Sequence, residues 1–343
     1  MPQARNRNLS LVRIIACMAV VLLHTANLAM AYFEPQETVR IITACMRNLM
    51  LWSVPCFVMV TGALLLDPER EISYKKLFGK YIGRIVTVLL VFTLIYRLTD
   101  CLIDKTPVGA DFITGYLSDI VFGTSWSHVW YLYLIIAIYL LLPFSRMIAS
   151  GSDAKDMRYL VIVLITFQSL ATLVSDITGK ELAFYICVST VFPIFLFAGY
   201  GIIKGQIRIP KIICIIAMVI SIAGIVIISI KATQLQSPVL GLIVTSYHFI
   251  LTVILSIAVF IIINGIKSKS GKESGRIFRS LDGATFGIYL VHMIVLNIIY
   301  KVLAFDPYTI GVYIIPVIAL VTFVISWGIV AALRLIPFVR KLL

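Results

Sequence analysis

Three runs in this chain, 212–230, 239–264 and 310–333, contain no Asp, Glu, Lys or Arg over 19 or more residues. A helix of about 20 apolar residues crosses a hydrocarbon layer about 30 Å thick. Runs of this length, found repeatedly in one chain, belong in lipid rather than in a water-soluble core. Composition agrees: 61% of residues are hydrophobic and 13% charged, against about 25% charged in a soluble domain. Hydropathy divides the chain into about ten candidate helices, near 9–32, 38–66, 75–101, 128–149, 158–175, 183–203, 212–231, 239–264, 283–304 and 310–333. The expected fold is therefore an all-α integral membrane protein, a bundle of about ten transmembrane helices in a single domain over 1–343. Pro193 lies inside the 183–203 run and is expected to kink it, which membrane bundles tolerate. Arg40, Arg47, Lys80, Arg84 and Arg97 fall inside 38–66 and 75–101, the least regular of the spans.

The distribution of charge sets the expected orientation. In a soluble protein a net charge of +13 would point to nucleic acid; here its placement matters more, and no nucleic-acid partner is expected. Alternate loops are basic. One set holds Arg70, Lys75, Lys76, Lys80 and Arg84, then Arg146, Lys155 and Arg158, then Lys204, Arg208 and Lys211, then Lys267, Lys269, Lys272, Arg276 and Arg279. The other set holds only Lys105, Lys180, Lys231 and Lys301. The positive-inside rule then puts both termini in the cytoplasm. Arg5, Arg7, the apolar run 14–23 and Ala29-Met30-Ala31 resemble a cleavable signal peptide. The apolar run continues past an ordinary h-region, so it is read as the first span. The long segment 103–127 spaces Phe112, Tyr116, Leu117 and Ile120 among Gly and Asp, which fits an interfacial amphipathic stretch or a loop holding a short helix.

Within the first span, Arg13 and His24 lie 11 residues apart, roughly 16 Å and three turns along a helix, hence on one face. An Arg at one surface would then put His24 near the midplane, where an ionisable group is costly and usually functional. His248 and His292 are also expected deep in spans, and His128 at the start of one. Carboxylates are placed at helix ends, at Asp67, Asp100, Asp119, Asp176 and Asp282. Paired-acid hydrolysis, HExxH zinc chemistry and a carboxylate proton relay therefore lack their parts. What remains is a neutral His acting as base on a hydroxyl. Lys75, Lys76, Lys80 and Arg84 suit a polyphosphorylated cytosolic ligand and equally suit anionic lipid headgroups. The six Cys (17, 45, 56, 101, 187 and 214) form no CxxC and are read as packing residues, not metal ligands.

Five stretches, taken in order, resemble the membrane-bound acyltransferase 3 family. They are Arg13, ten residues, His24; Val54-Pro55-Cys56-Phe57 followed by Thr61-Gly62; Lys80 and Arg84 in a basic turn; His128-Val129-Trp130-Tyr131-Leu132 followed by Tyr139 and Pro143; and Phe286-Gly287-Ile288-Tyr289-Leu290-Val291-His292. The family's closely spaced Arg pair is reduced here to Lys80 and Arg84. The resemblance covers essentially the whole chain. It implies an acyl-CoA-dependent O-acyltransferase, acetyl-CoA or another acyl-CoA being the donor, with no permanently bound cofactor. The acceptor it implies is a hydroxyl of a cell-envelope sugar or polysaccharide, and the setting is the bilayer of the bacterial cytoplasmic membrane. A homodimer is compatible with it. Carried onto this chain, Arg13, Lys80, Arg84 and Arg47 would bind the donor, Arg13 and His24 would be catalytic, and His128, Trp130, Tyr131, Tyr289 and His292 would meet the acceptor. Two other readings fit the same helices: a transporter or exporter of a cell-envelope precursor, and the membrane half of a sensor or racemase system.

Overall fold

The computed structural model of the protein describes residues 6–179, 190–266 and 275–343. Arg5, Lys180, Cys187, Lys267, Lys269 and Lys272, and the first part of the 183–203 run, lie outside the described residues. Among those described, the secondary structure is helical throughout: α1 Arg7–Tyr32, α2 Glu37–Leu49, α3 Ser53–Leu65, α4 Tyr74–Asp104, α5 Ala110–Phe122, α6 Trp130–Leu140, α7 Leu142–Gly151, α8 Ala154–Thr178, α9 Phe192–Ile203, α10 Lys211–Gln234, α11 Pro238–Val244, α12 Ile250–Asn264, α13 Arg276–Val302, α14 Ile314–Leu333 and α15 Pro337–Leu342. Among these, seven segments are long and apolar enough to cross a membrane: α1, α4, α8, α10, α13 and α14, and α2 with α3 taken together as Glu37–Leu65. An eighth span results if α6 and α7, bent by 56° at Leu141 beside Pro143, are taken together. The chain is a multi-pass membrane protein.

Two of the ten expected spans do not form as expected. Pro193 kinks nothing, because it sits in the first turn of α9, where a missing N–H costs no hydrogen bond. The 239–264 run is broken at 245–249 into α11 and α12. There the hydroxyls of Thr245 and Ser246 turn back to the carbonyls of Gly241 and Leu242, competing with the backbone as Ser and Thr do. His248 is thus in the break, not deep in a continuous helix. The 103–127 segment contains α5, held against α4 by Arg97, whose Nη1 pairs with Asp119 Oδ2 at 2.9 Å.

The arrangement follows from which helices can hide their faces. α10 exposes Ile212, Ile213, Ile216, Val219 and Ile220, a surface suited only to lipid. α1 and α13 lie inside. They are tied along their length by polar groups that a dry interior would otherwise leave unpaired. Ser10 Oγ donates to Asp282 Oδ2 at 2.7 Å, Cys17 Sγ to the Thr285 carbonyl at 3.5 Å, Tyr300 Oη to the Thr25 carbonyl at 3.3 Å and Tyr32 Oη to Asn297 Oδ1 at 2.9 Å. The Cys among the described residues are all free thiols.

The α3–α9 crossing depends on glycine. A Cβ on Gly62 would run into the Leu196 carbonyl, and one on Gly199 into that of Met59, so the backbones touch as small residues allow in lipid. Gly199→Ala should therefore destabilise the protein by about 1–3 kcal/mol, read as a lower melting temperature in detergent. Gly328→Ala has open space for its methyl and should leave the melt unchanged. Equal melts for the two variants would remove the close crossing from the account.

Candidate active site

The backbone of α1 brings Arg13 to one end of a cavity of about 360 Å³, which is also lined by α3, α4, α6 and α13. Arg70, from the loop between α3 and α4, and Arg84 of α4 line it as well. No carboxylate is among the lining residues. Each guanidinium is held. Arg70 donates from Nη2 to Tyr81 Oη at 3.0 Å and from Nη1 to the Leu64 carbonyl at 3.1 Å. Arg84 donates from Nε to the Leu342 carbonyl at 2.9 Å and lies 5.2 Å from the centre of the Phe286 ring. Arg13 Nη2 pairs with Asp282 Oδ1 at 2.7 Å, while Arg13 Nε is buried without a hydrogen-bond partner. Three guanidiniums on one cavity make a site for an anion that offers several oxygens, such as a phosphate group.

The loop that carries Arg70 is rigid for a definite reason. Arg146 of α7 donates to the carbonyls of Leu65, Asp67 and Arg70 at 2.6, 2.9 and 2.7 Å. Lys204 Nζ meets Asp67 Oδ1 at 2.9 Å. The hydrogen bond to Asp67 holds the Lys204 ammonium above its ordinary pKa, so the ammonium stays charged through neutral pH.

The far end of the cavity is formed by Val20, Phe57, Tyr131 and Tyr289. Just past it, one turn along α1 from Val20, stands His24. Three imidazoles from three helical regions converge there. His24 lies 5.2 Å from His292 and 6.1 Å from His128, and those two lie 5.4 Å apart, centre to centre. The ring of Tyr289 stands 5.4 Å from His128 and 6.1 Å from His292. Its hydroxyl donates to the His128 carbonyl.

The hydrogen bonds fix two tautomers. Tyr96 Oη donates to the Leu290 carbonyl at 2.7 Å, so toward His128 Nε2, 3.0 Å away, it can only accept. His128 thus carries its proton on Nε2 and a lone pair on Nδ1. His292 Nδ1 faces the Ile288 carbonyl at 3.1 Å and must be the donor, leaving the lone pair on Nε2. His128 Nδ1, His292 Nε2 and His24 Nδ1 are all buried without a hydrogen-bond partner. The three rings do not assemble a metal site: among the described residues no group of His, Cys, Asp or Glu has the geometry to hold an ion.

The remaining expected site residues are dispersed. Lys80 is exposed, as are Lys75 and Lys76, and none of them lines the cavity. Arg47 lies away from Arg13 and Arg84, at the end of α2 level with the turn of α1 that follows His24; it bonds Asn48 Oδ1 at 3.0 Å and Asn27 Oδ1 at 3.4 Å. Trp130 lies behind Tyr131, with the rings 6.2 Å apart. Sequence reasoning missed Arg70, Tyr81 and Asp282. By sequence Arg70 is one of the loop charges that set orientation. Asp282 reads as a helix-end carboxylate, whereas it is in the second turn of α13 with its side chain fully buried.

A family model described as an acyltransferase domain, acyltransferase 3, matches residues 6–331. No curated protein and no solved structure matches the chain.

Proposed function

This chain belongs to the acyltransferase 3 family, and we propose that it moves an acyl group, acetyl first among the candidates, from cytosolic acyl-CoA to a hydroxyl of a cell-envelope glycan or lipid-linked sugar in the bacterial cytoplasmic membrane. The observation that carries the reading is the single cavity running from three guanidiniums, Arg13, Arg70 and Arg84, to within one helical turn of His24. The CoA phosphates would rest among the guanidiniums. The pantetheine arm would follow the apolar wall of Val54, Val60 and Val20 and deliver its thioester to Tyr131 and Tyr289.

There the chemistry needs a base, an oxyanion donor and an exit for the proton. A ring nitrogen of His24 takes the proton of the acceptor hydroxyl as its oxygen bonds to the thioester carbonyl carbon. The hydroxyl of Tyr131, a residue of the cavity lining, would donate to the carbonyl oxygen as charge develops on it. The C–S bond then breaks, and the proton held by His24 goes to the CoA sulfur, giving an O-acyl ester and the free thiol. His128 and His292 present lone pairs beside His24, so an imidazolium formed there would find neutral acceptors rather than bare hydrocarbon.

The test is binding and slow hydrolysis of radiolabelled acetyl-CoA by the purified protein in detergent. Saturable binding with label released as acetate is expected, together with a fall in affinity of tenfold or more for Arg70→Ala, in keeping with a lost charge-assisted bond of about 1.5–3 kcal/mol. Failure to bind acetyl-CoA or succinyl-CoA at all would remove the acyl-CoA reading.

A further inference from the structure

The break between α11 and α12 does more than interrupt a span. It opens a second cavity of about 410 Å³, lined by Gln168, Thr172, Phe192, Ser246, Tyr247 and His248 among others. We propose that this groove is the docking site of a pyranose unit of the acceptor glycan, adjoining the unit that is acylated in the cavity; the assignment to an acceptor rests on the acyltransferase reading above.

Its position is set by the helices. Asn8 Nδ2 donates to the Asn264 carbonyl at 2.6 Å, which ties the C-terminal end of α12 to the Arg13 end of α1. His248 precedes α12 by two residues, and α12 is 15 residues long, so the groove is about 22 Å along the helix from that end. It faces away from the guanidinium mouth. Yet it is close to the cavity's inner end. The Trp130 ring stands 5.4 Å from Tyr247 and 5.7 Å from Phe192 on the groove side, and 6.2 Å from Tyr131 on the cavity side. One aromatic layer separates the two spaces.

The chemistry fits a sugar. Phe192 and Tyr247, with rings 5.7 Å apart and Trp130 packed behind both, line the groove and are aromatic side chains of the kind that stack against the C–H face of a pyranose. Beside them, His248 Nε2 meets Asp176 Oδ2 at 2.7 Å. His248 lines the groove and is not fully enclosed, so it retains a second ring nitrogen for a hydroxyl group, while Asp176 holds the imidazole in place. Ser169 Oγ donates to the His248 carbonyl at 2.5 Å, satisfying a backbone acceptor that the broken helix frees and fixing the ring's position. A carboxylate hydrogen-bonded to an imidazole, polar side chains and a broken backbone are costly in a hydrocarbon layer and are tolerated where they line a water-filled cavity. The groove gives them that setting.

The test uses the full chain in lipid nanodiscs, with chitohexaose as the free-sugar probe and an alkyl glycoside of the same sugar as the lipid-linked one. Binding is read by isothermal titration, with a thermal melt of each variant to show that it folds. His248→Gln and Tyr247→Leu should each weaken binding of the probe by tenfold or more. Asp176→Asn, which keeps the size of the side chain, should do the same with an unaltered melt. Tighter binding of the alkyl glycoside would assign the sugar to a lipid carrier, and equal binding to a free glycan. Folded variants that bind the probe as well as the unmodified protein, or no binding of either probe to the unmodified protein, would overturn the site. Acetyl-CoA hydrolysis is measured in the same samples. Hydrolysis without groove-dependent sugar binding sinks the groove alone, and sugar binding without any acyl-CoA turnover sinks the acyltransferase reading alone.

Discussion

His24→Ala is expected to lower acyl transfer by about 10²–10⁴-fold, the usual contribution of a positioned general base, while acetyl-CoA still binds. The separation of the two effects follows from the geometry. The guanidiniums that would hold the donor lie at one end of the cavity, and His24 lies past its other end. Removing the imidazole leaves a space beside His128 and His292 but strands no charge and breaks no hydrogen bond among the described residues, so the variant should fold. His24→Gln, which keeps most of the volume, guards against a packing effect and should be equally inactive. His292→Gln should lose less, because His292 lends a lone pair beside the base and does not take the first proton. A folded His24→Ala protein that transfers acyl groups at a near-normal rate would end the role assigned to His24.

How much of this was legible beforehand depended on whether helical period alone decides the contact. The Arg13–His24 stripe was, because an unbroken α1 needs only its own period to align them. His128 and His292 were both singled out one by one, but their convergence on His24 is a tertiary fact. It requires the register of α1 against α13, set by Ser10, Cys17 and Tyr32. The break at 245–249 was hidden for a different reason. No Pro or Gly marks it, and what opens the helix is a pair of hydroxyls competing for carbonyls, a signal that hydropathy does not carry. Arg47 falls within the 38–66 run, but which part of α1 it meets is again a tertiary fact: its neutral partners, Asn27 and Asn48, hold it beyond His24 and away from Arg13. The same limit applied to Asp282. A carboxylate near a basic loop looks like a helix end until its partner, Arg13, is seen.

That pairing makes Arg13 the second large effect. Arg13→Ala is expected to weaken acyl-CoA binding by tenfold or more and also to destabilise the protein, because it removes from the buried Asp282 carboxylate a charge-assisted bond of about 1.5–3 kcal/mol. Activity alone could not tell a donor-binding role from a purely structural one. The double variant Arg13→Ala with Asp282→Asn can. Asparagine at that position is neutral, close in shape, and still able to accept from Ser10 Oγ. Most of the lost melting temperature should therefore return. The lost affinity should not, since the guanidinium proposed to meet the phosphates is still missing from the cavity. Asp282→Asn by itself should bind acyl-CoA at least as well as the unmodified protein, because it frees Arg13 from a competing carboxylate while Arg70 and Arg84 stay in place. If the double variant recovered stability and affinity together, Arg13 would act only as the counter-ion of Asp282, and the donor site would be left to Arg70 and Arg84.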